Sequence, residues 1–225
     1  MGDQSNGHGS GLTWRDGEVP VSDRFDDPYF SLENGLAETR HVFLDGNDLP
    51  ARFAPGFHIA ELGFGTGLNL LAVWALWEQS GQVTPLQFTS FEAFPMTPDQ
   101  MARALAVFPD LAPWATRFLD AWDGRGCQLP TLAMQMVPGD ARQTLAQWPG
   151  RADAWFLDGF SPAKNPELWE PALMEHVARH TAPGGTAATY TAAGFVRRGL
   201  QDAGFHVERS PGFGRKRHMT RAVLA

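Results

Sequence analysis

From residue 56 onward, hydrophobic and polar positions alternate between two rhythms. Phe57 to Leu62 is a short apolar run that ends in glycines, which predicts a buried strand entering a tight turn. Leu68 to Trp77 then places apolar residues at helical spacing. Leu86 to Phe91 alternates as a strand and stops at Glu92, and a Pro-started helix is expected from about Pro98 to Phe108. Leu111 to Arg125 reads as helix or loop, Thr131 to Val137 as a strand ending at Gly139-Asp140, and Ala141 to Trp148 as a short helix. Asp153 to Leu157 is a buried strand ending at Asp158, Pro166 to His180 a helix, Thr186 to Thr191 a strand and Phe195 to Ala203 a helix. Phe205 to Arg209 and His218 to Leu224 are the last strands.

Strands alternating with helices predict an α/β fold with a doubly wound, mostly parallel sheet. Two closing strands with no helix between them predict an antiparallel C-terminal edge hairpin. Residues 11–55 show no clean period and are rich in Asp, Pro and aromatic residues. They read as short strands and turns, a flap belonging to one structural unit with the region 56–225. Residues 1–10 are polar and Gly-rich and read as a disordered arm.

Composition narrows the class. No apolar run approaches the roughly 20 residues that cross a bilayer, and Cys127 is the only cysteine, so an intrachain disulfide is impossible. A cytoplasmic protein without a membrane partner is expected, with a monomer as the working oligomeric state. The net charge of −7 argues against a nucleic-acid partner at first. Its distribution changes that picture: residues 1–60 carry ten acids against four Lys/Arg, whereas 193–225 carry seven Lys/Arg against two acids. The C-terminal segment can meet an anion, or it can be a solvated face.

In doubly wound sheets, ligands bind outside the carboxyl ends of the strands. The residues there are the candidates. Glu61-Leu62-Gly63-Phe64-Gly65-Thr66-Gly67 stands at a strand-to-helix turn. No Lys-Ser/Thr follows, which excludes a P-loop, and Leu68 occupies the third-glycine position of a dinucleotide fingerprint. An acid followed by Gly-x-Gly-x-Gly is the form that holds the amino-acid end of S-adenosylmethionine, although a purely structural turn also fits. Glu92 can accept two ribose hydroxyls or be an exposed strand-end charge. Asp140 can accept from an adenine amino group, cap the following helix, or do both. Asp158 enters a rigid loop with two prolines, where it is either a placed functional carboxylate or a turn residue.

Weaker candidates are set aside. His176 and His180 lie four apart on a helix with no third ligand and read as surface residues. Trp74 and Trp77 read as core, and Cys127 is not proposed as a nucleophile. No metal is expected.

The chain also resembles a family: the methyltransferase domain of MnmC, which finishes the 5-methylaminomethyl group of the tRNA wobble uridine. The likeness runs from about Val21 to Arg217. It is carried by the segments 25–31, 34–40, 61–69, 153–160, 162–166, 192–200 and 212–217. Ser161 and His218 depart from the family pattern, and 122–137 looks shortened. The flavin-dependent oxidase domain of many members is not expected here, so the chain reads as the methyltransferase alone, without flavin.

That resemblance implies an S-adenosyl-L-methionine-dependent enzyme that methylates 5-aminomethyl-(2-thio)uridine in a tRNA anticodon loop. Asp158 is the expected catalytic residue. The expected cofactor residues are Glu61, Gly63, Phe64, Gly65, Thr66, Gly67, Asn69, Glu92, Asp140 and Asp158. Tyr29, Phe30 and Phe160 are expected around the flipped base, Lys164 as a further substrate or tRNA contact, and Arg197, Arg198, Arg215, Lys216 and Arg217 at phosphates; DNA is not an expected partner. Two alternatives stay open: a same-fold methyltransferase of a small amine or protein, and a non-catalytic RNA- or nucleotide-binding module. A nicotinamide oxidoreductase is disfavoured by the glycine spacing.

Overall fold

The computed structural model describes residues 11–31 and 34–225, so the expected N-terminal arm lies outside the described residues. An eight-stranded sheet carries the fold. Its parallel centre is built from β4 (His58–Leu62), β5 (Leu86–Glu92), β7 (Leu132–Pro138), β8 (Ala152–Leu157) and β9 (Thr181–Thr189). The other three strands are β6 (Gly126–Leu129), β10 (Phe205–Pro211) and β11 (His218–Leu224), and the spatial order is β10-β11-β9-β8-β4-β5-β7-β6.

From β4 the chain winds outward through β5 to β7 on one side, then crosses to β8 and β9 on the other. The strand order therefore reverses between β4 and β8, and a doubly wound sheet opens its ligand crevice at such a point. Both strands are buried on their two faces, Ile59 to Leu62 and Ala154 to Leu157 having 1% exposure or less. Near-continuous apolar runs are what a covered parallel sheet demands, so the one acid in that stretch, Glu61, is conspicuous.

The expected C-terminal hairpin is present as β10/β11, with β11 also antiparallel to β9. The opposite edge differs from expectation. Residues 126–129 form a second antiparallel edge strand, β6, paired to β7. Asp123 makes the preceding turn, its Oδ1 accepting the amides of Arg125 and Gly126 at 2.8 Å each. A four-residue strand with one side chain in the core is too short to show alternation.

Helix α2 (Leu68–Gln79) is buried almost all round, including Trp74 and Trp77 at 0% exposure, as expected of a helix apolar on every side. Both indole N–H groups find partners, Thr131 Oγ1 at 3.0 Å and the Thr84 carbonyl at 2.8 Å. Helix α3 (Pro98–Leu105) starts with a capping box between Thr97 and Gln100. Thr97→Ala should lower the urea midpoint by the equivalent of about 1 kcal/mol with an unchanged slope. A change in slope would mean that more than the cap was lost. Helices α4 (Ala112–Ala121), α5 (Ala141–Thr144), α6 (Pro171–Arg179) and α7 (Gly194–Asp202) complete the cover.

The N-terminal region is only partly the strands and turns expected of it. A small antiparallel sheet does form from β1 (Leu12–Arg15), β2 (Val19–Ser22) and β3 (Asp27–Pro28). The stretch that follows is helical: α1 (Gly35–Thr39), capped by the Asn34 side chain on Ala37 N at 2.9 Å, runs into a wide π turn over Arg40–Leu44. Leu36, Val42, Phe43 and Leu44 are buried by it. The change of helical pitch breaks the 3.6-residue period, which hides this helix from a pattern search. Its consequence is functional, because α1 brings Glu38 and Thr39 to the crevice.

The smaller candidates divide. Cys127 is buried, and burial pushes its thiol up to about 11, leaving it inert. His180 is not the surface residue expected; its Nδ1 lies 2.9 Å from the Gly150 carbonyl and its ring packs on Trp148. Among the described residues no helix is long and apolar enough to cross a membrane.

Candidate active site

Crossing from β4 to β8 creates a cleft of about 530 Å³ at the carboxyl ends of the strands, within the range of small-ligand sites. At its floor the two central strands pass into loops in backbone contact. The Gly63 amide donates to the Phe91 carbonyl (2.9 Å) and the Asp158 amide to the Leu62 carbonyl (3.1 Å). Gly63 has φ +89°, and a Cβ there would lie 2.4 Å from the Asp158 carbonyl oxygen. Glycine is thus required by space as well as by conformation. Gly65 has φ +55°, and a Cβ there would touch the Tyr29 ring at 3.0 Å. Tyr29 follows β3, so the small N-terminal sheet lays an aromatic ring over the glycine turn.

Beneath the turn runs a hydrogen-bonded chain. Ser90 donates to Glu61 Oε2 (2.7 Å), while Asn69 Nδ2 donates to Glu61 Oε1 (3.0 Å) and to Asp158 Oδ2 (2.6 Å). Thr39 Oγ1 holds the Asn69 carbonyl oxygen at 2.9 Å. One amide therefore orients two carboxyl groups from two neighbouring strands. Glu61 is fully buried, and burial pushes its carboxyl well above the usual carboxylate range. It does not line the cleft, so it reaches a ligand only through Asn69.

Asp158 does line the cleft. Desolvation raises its carboxyl to about 7; Asn69 opposes that rise, Glu38 adds to it, and Lys216 opposes it. Such a group is poised to exchange a proton near neutrality. Glu92 accepts the amides of Gly65 (3.1 Å) and Phe94 (2.7 Å) on separate oxygens, and each oxygen keeps a lone pair for a hydroxyl of a ligand. Asp140 is the N-cap of α5, accepting Arg142 N at 2.9 Å, and pairs with the Arg142 guanidinium at 2.6 Å. The hydrogen bonds from that guanidinium hold its carboxyl below the usual range. Capping and cleft lining coexist at Asp140, as the sequence allowed.

The expected residues do not all meet at the cleft. Phe64 lines it at the turn, but its ring stacks on Trp122 at 5.9 Å and belongs to the core. Gly67, at φ +83°, begins α2 below the surface of the cleft. Thr66, Asn69, Tyr29, Phe30 and Phe160 line it. Phe160 also packs on Tyr29 (5.0 Å) and Phe25 (4.8 Å), and Phe30 on Phe108 (5.1 Å). Lys164 lies off the cleft, bonded to the Asp26 carbonyl and paired with the Asp26 carboxylate at 3.1 Å. Together with the Ser161 amide on Asp27 Oδ2 (2.9 Å), it fastens the Asp158 loop to the N-terminal sheet. Arg215 and Lys216 reach the cleft rim, while Arg197, Arg198 and Arg217 do not line it.

Several lining residues escaped sequence reasoning. Glu38 and Thr39 lie within the 34–40 motif, but no helical period marks their helix. Tyr190 sits just beyond the end of β9, without the acid that marks the other strand ends; its hydroxyl donates to the Gly159 carbonyl at 2.7 Å. Phe25, Phe94 and Phe213 add aromatic surface that no period marks.

Fold, switch-point crevice and glycine turn together define a Rossmann-like methyltransferase. Residues 114–225 match the family model of an S-adenosyl-L-methionine-dependent methyltransferase. Over 95% of its length the chain is 47% identical to the tRNA 5-methylaminomethyl-2-thiouridine biosynthesis bifunctional protein MnmC of Chromobacterium violaceum. It is 50% identical to that of Caulobacter sp. strain K31, also over 95% of its length. The chain spans only 34% and 38% of those two relatives. The crystal structure of MNMC2 from Aquifex aeolicus superposes with a TM-score of 0.75 at 27% identity, covering 97% of this chain and 72% of that one. Over nearly its whole length this chain is thus similar to the MnmC proteins.

Proposed function

We propose that the chain transfers a methyl group from S-adenosyl-L-methionine to the primary amine of 5-aminomethyl-(2-thio)uridine at the tRNA wobble position, giving 5-methylaminomethyl-(2-thio)uridine. The observation that carries the reading is Asp158, a carboxyl raised to about 7 and facing the cleft beside a glycine turn. Support for the substrate comes from the relatives, whose names place them in 5-methylaminomethyl-2-thiouridine biosynthesis.

The residues present fit the cofactor. Gly63 and Gly65 both line the cleft, so the turn presents backbone free of side chains to a ligand. Carboxylates at successive strand ends match a ligand bearing hydroxyls, an ammonium and an amino group. We assign the amino-acid end to the Gly63–Gly65 turn and Asn69, with Glu61 acting through Asn69, the ribose to Glu92 and the adenine side to Asp140. When bound, S-adenosylmethionine supplies an electrophilic sulfonium methyl; the amine nitrogen gains the N–C bond as the S–C bond breaks.

Asp158 orients the amine and takes or relays its proton. An alkylammonium titrates near 10 and cannot attack while protonated, so a base raised toward 7 is a better acceptor than an ordinary carboxylate. Phe160 and Tyr29 offer ring faces to an unstacked base, the usual device for reading single-stranded loops. We assign Arg197, Arg198, Arg215 and Arg217 to phosphates, whereas Lys216, expected among them, pairs with Glu38.

Methyl-labelled cofactor with tRNA carrying unmethylated 5-aminomethyluridine should put label into 5-methylaminomethyluridine. Cofactor binding without labelled nucleoside would overturn the substrate. Affinity for that tRNA should fall about tenfold to a hundredfold between 50 and 200 mM salt, if three or four phosphates are neutralised. A flat salt dependence would remove the arginines from the interface.

A further inference from the structure

Lys216 does not sit where a phosphate contact would. Its Nζ is 2.7 Å from Glu38 Oε1 and 4.2 Å from the centroid of the Tyr190 ring. Glu38, Tyr190, Asp158 and Lys216 all line the one cleft. The placement is built on both sides. Glu38 rides on the Asn34-capped α1 with its side chain only 14% exposed, and the Tyr190 ring is locked by its bond to Gly159. On the other side Lys216 ends a tight turn in which the Lys216 amide donates to the Phe213 carbonyl (3.0 Å) and the Gly212 amide to Arg217 O (3.2 Å). A Cβ at Gly212 would lie 2.2 Å from the Lys216 carbonyl oxygen, so the close approach needs glycine. His41 Nε2 contacts the Pro211 carbonyl at 3.0 Å, and the His41 ring faces Phe213.

Two carboxylates and an aromatic face form a trap for an alkylammonium. A substrate amine caught by Glu38, Asp158 and Tyr190 together would be held in its protonated form, which has no lone pair to give. With Lys216 on Glu38 and Tyr190, the amine meets Asp158 alone, next to a like charge.

We propose that Lys216 is a positioning residue for this reaction: its ammonium occupies Glu38 and Tyr190 so that the incoming amine is bound next to Asp158 in its neutral, reactive form. The inference rests on the amine-methyltransferase reading above. Other charged groups face the same space. Asp27 approaches from β3 and Glu61 lies behind Asn69, while Arg215 and Arg217 flank Lys216 on its own turn and His41 approaches from the helical side. Removing Lys216 leaves Glu38 uncompensated and takes away a charge that lowers the Asp158 carboxyl. Both effects drive the acid limb of the reaction to higher pH.

The test compares wild type, K216M and K216R on aminomethyluridine tRNA from pH 6 to 9.5. Cofactor affinity is measured by calorimetry, and tRNA affinity in the presence of S-adenosylhomocysteine. For K216M the acid limb of kcat should move up by about one pH unit. That loses about fivefold at pH 7 and nearly tenfold at pH 6 and recovers by pH 9, with cofactor affinity unchanged and tRNA affinity within about threefold. K216R should keep the wild-type limb. An unmoved limb with weaker tRNA binding and a shallower salt slope makes Lys216 a phosphate contact and overturns the proposal. An unmoved limb with tighter tRNA binding makes it a blocking cation, which also overturns it, as does lost cofactor binding. A wild type that labels no aminomethyluridine refutes the amine reading itself, and this inference with it.

Discussion

Asp158→Asn is expected to keep cofactor affinity within a few-fold of wild type and to lower turnover by about 10²- to 10⁴-fold, the range for removing a positioned general base. The side chain can remain in place, because an amide oxygen still accepts the Asn69 Nδ2 hydrogen at the position where Asp158 Oδ2 now accepts it at 2.6 Å. What is lost is the basic oxygen. Wild-type turnover should rise as pH climbs through about 7, the value to which burial lifts this carboxyl, and the variant should lack that limb. Single-turnover assays with saturating cofactor check both points, and near-normal turnover in the variant would sink the assignment.

The same substitution should show its sign in stability. A carboxyl raised to about 7 in the folded chain binds a proton that the unfolded chain, near 4, has released. Folding is therefore unpenalised below pH 4 and loses stability as pH rises through 7. Asparagine carries no such penalty, so the melting temperature of Asp158→Asn should exceed that of wild type above pH 7, with the gap narrowing toward pH 4. A variant less stable at pH 8 would mean that the ionised carboxylate supports the fold.

Gly63→Ala is the second large effect. The added Cβ would meet the Asp158 carbonyl oxygen at 2.4 Å, a contact between two backbones at the centre of a fully buried sheet. Neither strand can retreat without breaking the Gly63–Phe91 or Asp158–Leu62 hydrogen bond. A residue with φ +89° also carries strain once it has a side chain. The combined cost should be about 3 kcal/mol or more, judged from overpacking and backbone strain together. Loss of soluble protein or a melting point lower by several degrees fits that expectation. Gly65→Ala provides the contrast, because its Cβ would meet only the rim of the Tyr29 ring, at 3.0 Å, and that ring belongs to the flap. It should fold and lose cofactor affinity instead. Equal stability of Gly63→Ala and wild type would show that the crevice opens more readily than its hydrogen bonds imply.

Much of this was legible in the residues. The alternation of short apolar runs with helical periods marks β4, α2, β5 and β8, because a sheet covered on both faces demands nearly continuous apolar runs, and two closing strands with no helix between them mark the hairpin. Positive-φ glycines and strand-end acids likewise announce themselves by residue type, so Gly63, Gly65, Glu92, Asp140 and Asp158 were identifiable before any fold was seen. Three kinds of feature were not. A π turn erases the helical period around α1, and with it the approach of Glu38 and Thr39. The edge strand β6 is too short to show a period. Basic residues carry no mark of what they face, so Lys216 and Lys164 look alike in sequence while one pairs with Glu38 in the cleft and the other with Asp26 on the flap.

The sequence by itself determined the sheet, the glycine turn and the acids at its strand ends, since local sterics and apolar burial set those whatever their neighbours. Only the tertiary structure decided which acid is a ligand group and which a support. That division depends on desolvation and on hydrogen bonds between residues far apart in the chain: Asn69 joining Glu61 to Asp158, and Lys216 joining Glu38 across 178 positions.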